Sequence, residues 1–418
     1  MRFLGLLATL FLFACASAPA PTSANLDSVA RDYVRLVLEI GAHEEGYIDA
    51  YYGPPEIKAE ADANPRAIPA LKAEADRLIA ALGTPADARG RFLAANLRAA
   101  RFRLDMIEGR KTPFAEEAEA LLGVRPELQA LSHYDPILAR IEAMVPGHGP
   151  LSERVEAFRR RYVIPPGKLD AVMRAAMAEC RARTAAHMSL PPGEAFTLEF
   201  VTNQPWSGYN WFKGQAQSTI QINTDLPIFI DRAVDLGCHE GYPGHHVHNA
   251  LLEQRLYRER GWIEISVNPL FSPMSFIAEG EGNYGVDLAF PGEERTRFET
   301  ETLFPLAGLD PSTAPAYAAL RAALKDLALA RITIAQMYLD GEIDRARAVE
   351  LSQRYRLISR ERAEQDLSFI ERYRSYVINY GYGEIAVREH VEKAGDEAAR
   401  WAAMRRLLSE PSLPSDLR

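Results

Sequence analysis

The stretch Cys238-His239-Glu240-Gly241-Tyr242-Pro243-Gly244-His245-His246-Val247-His248 constrains the fold more than any other part of the chain. Four of the nine histidines fall within ten residues, and a glutamate directly follows the first. Imidazole is the commonest transition-metal ligand near neutral pH. A His-Glu pair followed by another His is how zinc hydrolases bring two ligands and a general base together. In the usual spacing, His-Glu-x-x-His, the two histidines sit one helical turn apart. Here the second position is Pro243. On an unbroken helix His239 and His246 would share a face but lie roughly 10 Å apart, at ~1.5 Å per residue. Two nitrogens that must each approach one zinc to about 2.0–2.1 Å do not reach it from there.

The chain must therefore leave the helix. Pro243 lacks an amide hydrogen and clashes with the preceding turn, and Gly244 permits unusual backbone angles. A helix carrying His239 is expected to bulge or stop at Gly241-Tyr242-Pro243-Gly244 and to restart at the paired histidines. Such a detour brings His245 beside His239, with His246 as the rival second ligand or as a residue that orients a ligand or contacts substrate. The plain alternative is a His-rich helix start with no metal. A third ligand is expected downstream, in Phe276-Ile277-Ala278-Glu279-Gly280-Glu281-Gly282-Asn283-Tyr284, after a Pro-rich turn. Glu279 is the first choice and Glu281 its rival. Taken alone, the segment also reads as an acidic helix start stabilised by the helix dipole.

At these two segments the chain resembles the DUF885 family of bacterial proteins, many of them assigned as lipoproteins and grouped with the zincin-like metallopeptidases. The pattern is His-Glu-x-x-Pro-Gly-His followed by Glu-Gly-x-x-x-Tyr. The resemblance extends to His43-Glu44-Glu45-Gly46-Tyr47-Ile48-Asp49-Ala50-Tyr51-Tyr52-Gly53-Pro54, to Pro205-Trp206-Ser207-Gly208-Tyr209-Asn210-Trp211 and to Ser375-Tyr376-Val377-Ile378-Asn379-Tyr380-Gly381-Tyr382-Gly383. It implies His239, His245 and Glu279 as metal ligands and Glu240 as base. Many relatives carry Trp-Ala where this chain has Glu281-Gly282, so an extra carboxylate stands near the expected metal.

The fold class expected is mainly α, a zincin-like helical metallopeptidase with a small β-sheet next to the metal-binding helix. Residues 1–20 read as a signal peptide with a lipobox: Arg2, an apolar run from Phe3 to Ala14 too short for a membrane span, then Leu12-Phe13-Ala14-Cys15. Ala18–Ala24 reads as a tether. The protein is thus expected to be exported, periplasmic or anchored to the membrane only through a lipid on Cys15. Residues 25–418 read as one large domain, with a helical scaffold lobe over 25–190 and a metal-site lobe over 191–418.

Period-3.6 apolar patterns predict helices starting at Asp27 or Ser28 and over about 66–82, 88–108, 112–122, 151–161 and 167–187. Further helices are expected over Asp225–Glu240, Ala314–Tyr338, Arg345–Tyr355, Ser359–Tyr380 and Asp396–Leu408. The polar cluster around His43 to Tyr52 reads as a helix cap or a cleft lining, with the cap preferred. Alternation predicts strands at Phe196–Thr202 and Ser218–Asn223, joined by an aromatic, glycine-bearing loop. Trp206, Tyr209, Trp211 and Phe212 suit a substrate pocket or the core. Cys180 and Cys238 permit one disulfide, although Cys238 reads first as a small packing residue.

The net charge of −9 is spread along the chain with no basic tract, which argues against nucleic acid as a partner. The expected activity is zinc-dependent hydrolysis of a peptide or small amide, with a zinc-activated water and Glu240 as general base. The competing expectation is an inactive zincin-like lipoprotein that binds a ligand or partner. Tyr284, Tyr380, Tyr382 and His248 are the candidate oxyanion donors. His246, His248, Glu281, Tyr242 and Asn223 are expected around the ligands or the substrate.

Overall fold

The computed structural model describes residues 23–417, so the leader, Cys15 and most of the expected tether lie outside the described residues. The protein is mainly helical, with two small sheets. Its first described helix, Ser23–His43, starts before the expected Asp27 or Ser28. On it Val29, Tyr33, Val34, Val37 and Leu38 recur at helical spacing and are all buried. Helices follow at Ile68–Leu82, Ala88–Ile107, Phe114–Leu122, Leu151–Arg160 and Leu169–His187. Local chemistry sets their ends. Asp87, for example, accepts from the Gly90 amide at 2.9 Å and caps the Ala88–Ile107 helix.

Three expectations need correction. The helix read over Asp225–Glu240 begins only at Asp231, because Pro227 has no amide hydrogen to give. The stretch read as Ala314–Tyr338 is two helices, Ala314–Lys325 and Ala330–Leu339, with the turn between them placing Leu327 in the core. The stretch read as Ser359–Tyr380 is helical over Arg360–Tyr373 and then tightens and widens into two turns, Arg374–Val377 and Asn379–Gly383.

The strands differ more. The first sheet pairs β1 (Ile48–Tyr51) with β5 (Val267–Pro269), antiparallel, across more than 200 residues of chain. The second holds β2 (Ala195–Val201), β3 (Gly208–Gly214) and β4 (Gln217–Asn223) in the order β2-β4-β3. β2 runs parallel to β4, and β3 is antiparallel to it. Most of the expected aromatic loop is thus strand β3, with Asn210 and Phe212 turned inward and Trp211 outward. Its glycines and asparagine obscured the alternation.

Both halves of the chain contribute to one continuous core. At its centre lies the helix Pro273–Ala289, buried on nearly every side. Ser272 accepts from the Ser275 amide at 3.3 Å and Pro273 opens the first turn, a favoured pairing at a helix start. Among the described residues no helix is long and apolar enough to cross a membrane.

Cys180 and Cys238 form a disulfide with Cα atoms 5.4 Å apart, tying the Leu169–His187 helix to the turn that carries His239. Cys238 is therefore a crosslink rather than only a packing residue. It closes 58 residues of chain. Replacing both cysteines by serine is expected to lower unfolding stability by about 2–4 kcal/mol, measured by denaturant titration without reductant. The same loss should appear in the unmodified protein when reductant is added.

Candidate metal centre

The helix Asp231–Leu236 runs into a widened π-helical turn, Gly237–Gly241, which carries His239 and Glu240. Such turns insert one extra residue and often mark functional positions. Tyr242 and Pro243 leave the helix, and a new helix begins at His245. The detour folds tightly on itself. The Gly244 amide donates to the Cys238 carbonyl at 3.0 Å, and a Cβ at position 244 would lie 1.8 Å from the His239 carbonyl oxygen. Only glycine fits there. The result sets the His239 and His245 rings edge to face, centroids 4.6 Å apart.

Glu279 reaches both from the central helix. Its carboxylate oxygens lie 3.1 Å from His239 Nε2 and 3.9 Å from His245 Nε2. Gly282, one turn on, makes that approach possible: a Cβ there would stand 2.7 Å from His239 Nδ1. The three residues offer ligand atoms that all lie within 4.8 Å of one another. Donors around a tetrahedral zinc are about 3.3 Å apart, so the set fits such an ion. The Oε2 of Glu279 is buried with His239 Nε2 beside it. Tyr376 donates to the other oxygen at 2.6 Å and fixes the carboxylate's orientation.

The electrostatics of the cluster set its two imidazoles apart, His245 neutral and His239 charged against Glu279. Burial and the neighbouring His239 charge push His245 down to about 3, so its imidazole is neutral with a lone pair free. Burial opposes ionisation of Glu279, but the His239 hydrogen bond and charge hold it at about 2. Burial likewise disfavours charged His239, yet Glu279 holds it up at about 9. Glu240 is pushed up to about 7, first by burial and then by Glu279 and Asp49, against the lowering effect of His239. Its carboxylate abuts the start of β3, where a Cβ on Gly208 would come within 2.9 Å of Oε1.

The other sequence candidates divide. Tyr380 lies beside the triad: burial and then Glu279 raise its pKa, with Glu240 adding to the rise, and its ring is 5.9 Å from that of Tyr376. His246 points the other way. Its Nδ1 is 2.8 Å from the Ser218 hydroxyl and its Nε2 3.1 Å from Glu194, which also accepts from Tyr242 and pairs with Arg181. His246 and Tyr242 thus anchor the new helix to β4 and do not face the triad. His248 pairs with Glu281 at 2.6 Å, a buried couple behind His245. Asn223 shapes the loop before β3 by donating to the Gln204 and Trp206 carbonyls at 2.9 Å. Tyr284 lies under Arg388, and Tyr382 donates to the Glu127 carbonyl, so neither faces the triad.

Two side chains at the site were not assigned to it from sequence. Asp49, on β1, accepts from Tyr209 on β3. Burial raises it to about 6, with Glu279 adding to the rise and the Tyr209 hydrogen bond lowering it. The polar cluster at 43–52 therefore splits: His43 and Glu44 end a helix and bond to Arg66 and Arg103, whereas Asp49 lies in the field of Glu279. Tyr376 was legible in principle, since it stands one turn before Tyr380.

No family model matches the chain, and no curated protein matches it. Among solved structures it is similar to that of a putative lipoprotein from Colwellia psychrerythraea, with a TM-score of 0.54 at 15% identity. The match covers 83% of this chain and 65% of that one. What the two share is a fold. The chain thus spans about two thirds of the length of the protein it resembles.

Gly282→Ala and Tyr376→Phe act on this geometry without removing His239, His245 or Glu279. Each is expected to weaken any zinc binding at the triad about 10–100-fold, as changes around metal ligands do, in competition titrations with a chromophoric chelator.

Proposed function

We propose that this chain is an exported zinc-dependent hydrolase of the zincin-like type, akin to the DUF885 proteins, that cleaves peptides or small amides. The observation that carries the proposal is the convergence of His239, His245 and Glu279 around one point, with buried Glu240 next in sequence to a ligand. Two neutral or neutralisable imidazoles and a carboxylate are the donor set of many catalytic zinc sites, which keep a fourth position open. Export is supported by the apolar run ending at Cys15 and by a disulfide, which persists in oxidising compartments. The description of the similar Colwellia protein points the same way.

His239, His245 and Glu279 would hold the metal, with Tyr376 keeping the Glu279 carboxylate in place. Bound there, zinc supplies Lewis-acid polarisation of a carbonyl and lowers the pKa of water towards about 7. Glu240 then takes the proton of the attacking water on its carboxylate as the water oxygen bonds to the carbonyl carbon. As the C–N bond breaks, Glu240 returns that proton to the leaving nitrogen. Burial, which raises Glu240, suits a group that must accept and give a proton near neutral pH. Tyr380 has its hydroxyl among these carboxylates and is the donor best placed for the developing oxyanion. Tyr209, at the start of β3, donates to Asp49, which lies in the field of Glu279.

The protein is expected to carry about one zinc per chain by elemental mass spectrometry. His245→Ala should lose it, while His246→Ala should retain it and melt at a lower temperature. Glu240→Gln should keep the zinc and lose about 100- to 10,000-fold in turnover of short peptides. A metal-free wild type after zinc reconstitution, or full turnover by Glu240→Gln, contradicts the reading.

A further inference from the structure

Beyond Tyr380 lies a second feature that the hydrolytic machinery does not use. A cavity of about 250 Å³ is bounded by Arg331, Arg356, Tyr380, Leu327, Ile332 and Ile358 among others. It is smaller than the roughly 300–1,000 Å³ of a pocket for a whole ligand, and suits one end of a molecule.

Its charge is unbalanced. Arg331 Nη2 lies 2.7 Å from Asp366, and Arg356 Nη1 pairs with the other oxygen of the same carboxylate. Two guanidinium groups therefore share a single acid. All three side chains are mostly buried, with relative exposures of 17%, 19% and 12%. A buried charge without a partner is costly, so the surplus positive charge calls for an anion. Burial and the neighbouring Arg331 lower the pKa of Arg356 against the effect of Asp366, consistent with incomplete neutralisation. The buried Nε of Arg331 has no hydrogen-bond partner among the described residues. Arg331 is held in orientation by stacking over Phe369 at 5.1 Å and over Tyr380 at 5.4 Å.

Tyr380 connects the two places. Its ring borders the cavity, while its hydroxyl lies in the field of Glu279 and Glu240. The cavity on the Arg331 side of this ring is basic. A free carboxylate on the substrate is stabilised there. Guanidinium forks suit carboxylates, which they bind through two parallel hydrogen bonds.

We infer that the Arg331–Arg356 cavity binds the free C-terminal carboxylate of the substrate, so that the enzyme acts near the C-terminal end of short peptides. This rests on the hydrolase reading above, and the test separates the two. Zinc-loaded Glu240→Gln protein is titrated in a calorimeter with trialanine and with trialanine amide. The same titrations are made after zinc is stripped, and with Arg331→Met and Arg356→Met added. The acid is expected to bind at least tenfold tighter than the amide, with or without zinc, and either arginine substitution should erase the difference.

Equal binding of acid and amide, binding of neither, or a preference that survives both substitutions overturns the inference. A preference that vanishes on zinc removal also overturns it, since the metal would then be the carboxylate's partner. The zinc-free comparison needs no arginine variant, so the test holds even if both fail to fold. Hydrolysis of both peptides by the wild type without acid preference leaves the hydrolase standing and removes the carboxylate site. Preferential binding of the acid by a protein that hydrolyses neither leaves the carboxylate site standing and removes the hydrolase.

Discussion

Everything near the candidate centre depends on one close approach: the central helix Pro273–Ala289 against the turn Gly237–Gly241 and its neighbours. Three small residues on that helix let three different groups come near. Gly280 lies under the carbonyl of Gly383, Gly282 under the His239 ring and Gly285 under Pro243. A side chain at any of them meets an atom within 2.8 Å of its Cβ. The helix is buried on nearly all sides, so it has no solvent side to retreat to, and close-packed interiors transmit such a displacement. Glu279 is set by the same contact, because it stands three residues before Gly282.

The site then has to carry several buried carboxylates together. Isolated buried charges are expensive, and the chain offsets them by pairing. Glu279 has His239 and Tyr376, Asp49 has Tyr209, and Glu281 has His248. Glu240 is the exception, which is why its pKa rises towards neutrality while that of Glu279 falls. Two glutamates within one small volume are thereby given different proton affinities, one suited to holding a cation and one to moving a proton.

Two further ties keep the detour rigid from the opposite side. The Cys180–Cys238 disulfide secures the residue before His239, and the Ser218–His246–Glu194–Tyr242 network secures the residue after His245. His246, next to His245, is thus an anchor, with a buried imidazole satisfied at both nitrogens.

Much of this was legible in the chain because it is local. The 3.6-residue patterns gave most helices, and Pro243-Gly244 marked the break after His239, while packing decided that His245 rather than His246 stands beside it. The segment after the Pro-rich turn offered Glu279 with Glu281 as its rival, and packing put Glu279 beside the two imidazoles. What only the tertiary structure decided is non-local. Asp49 enters the site through pairing of β1 with β5, more than 200 residues away, and no periodicity encodes such a partner. Strand β3 is set by pairing with β4, and the roles of Tyr376, Tyr284 and Tyr382 depend on which way each faces once helices are packed. The surplus charge at Arg331 and Arg356 emerges only when one aspartate is seen to serve both. Spacing along a helix is fixed by backbone geometry and can be read from sequence, whereas contacts between distant segments are chosen by packing, which sequence periodicity does not record.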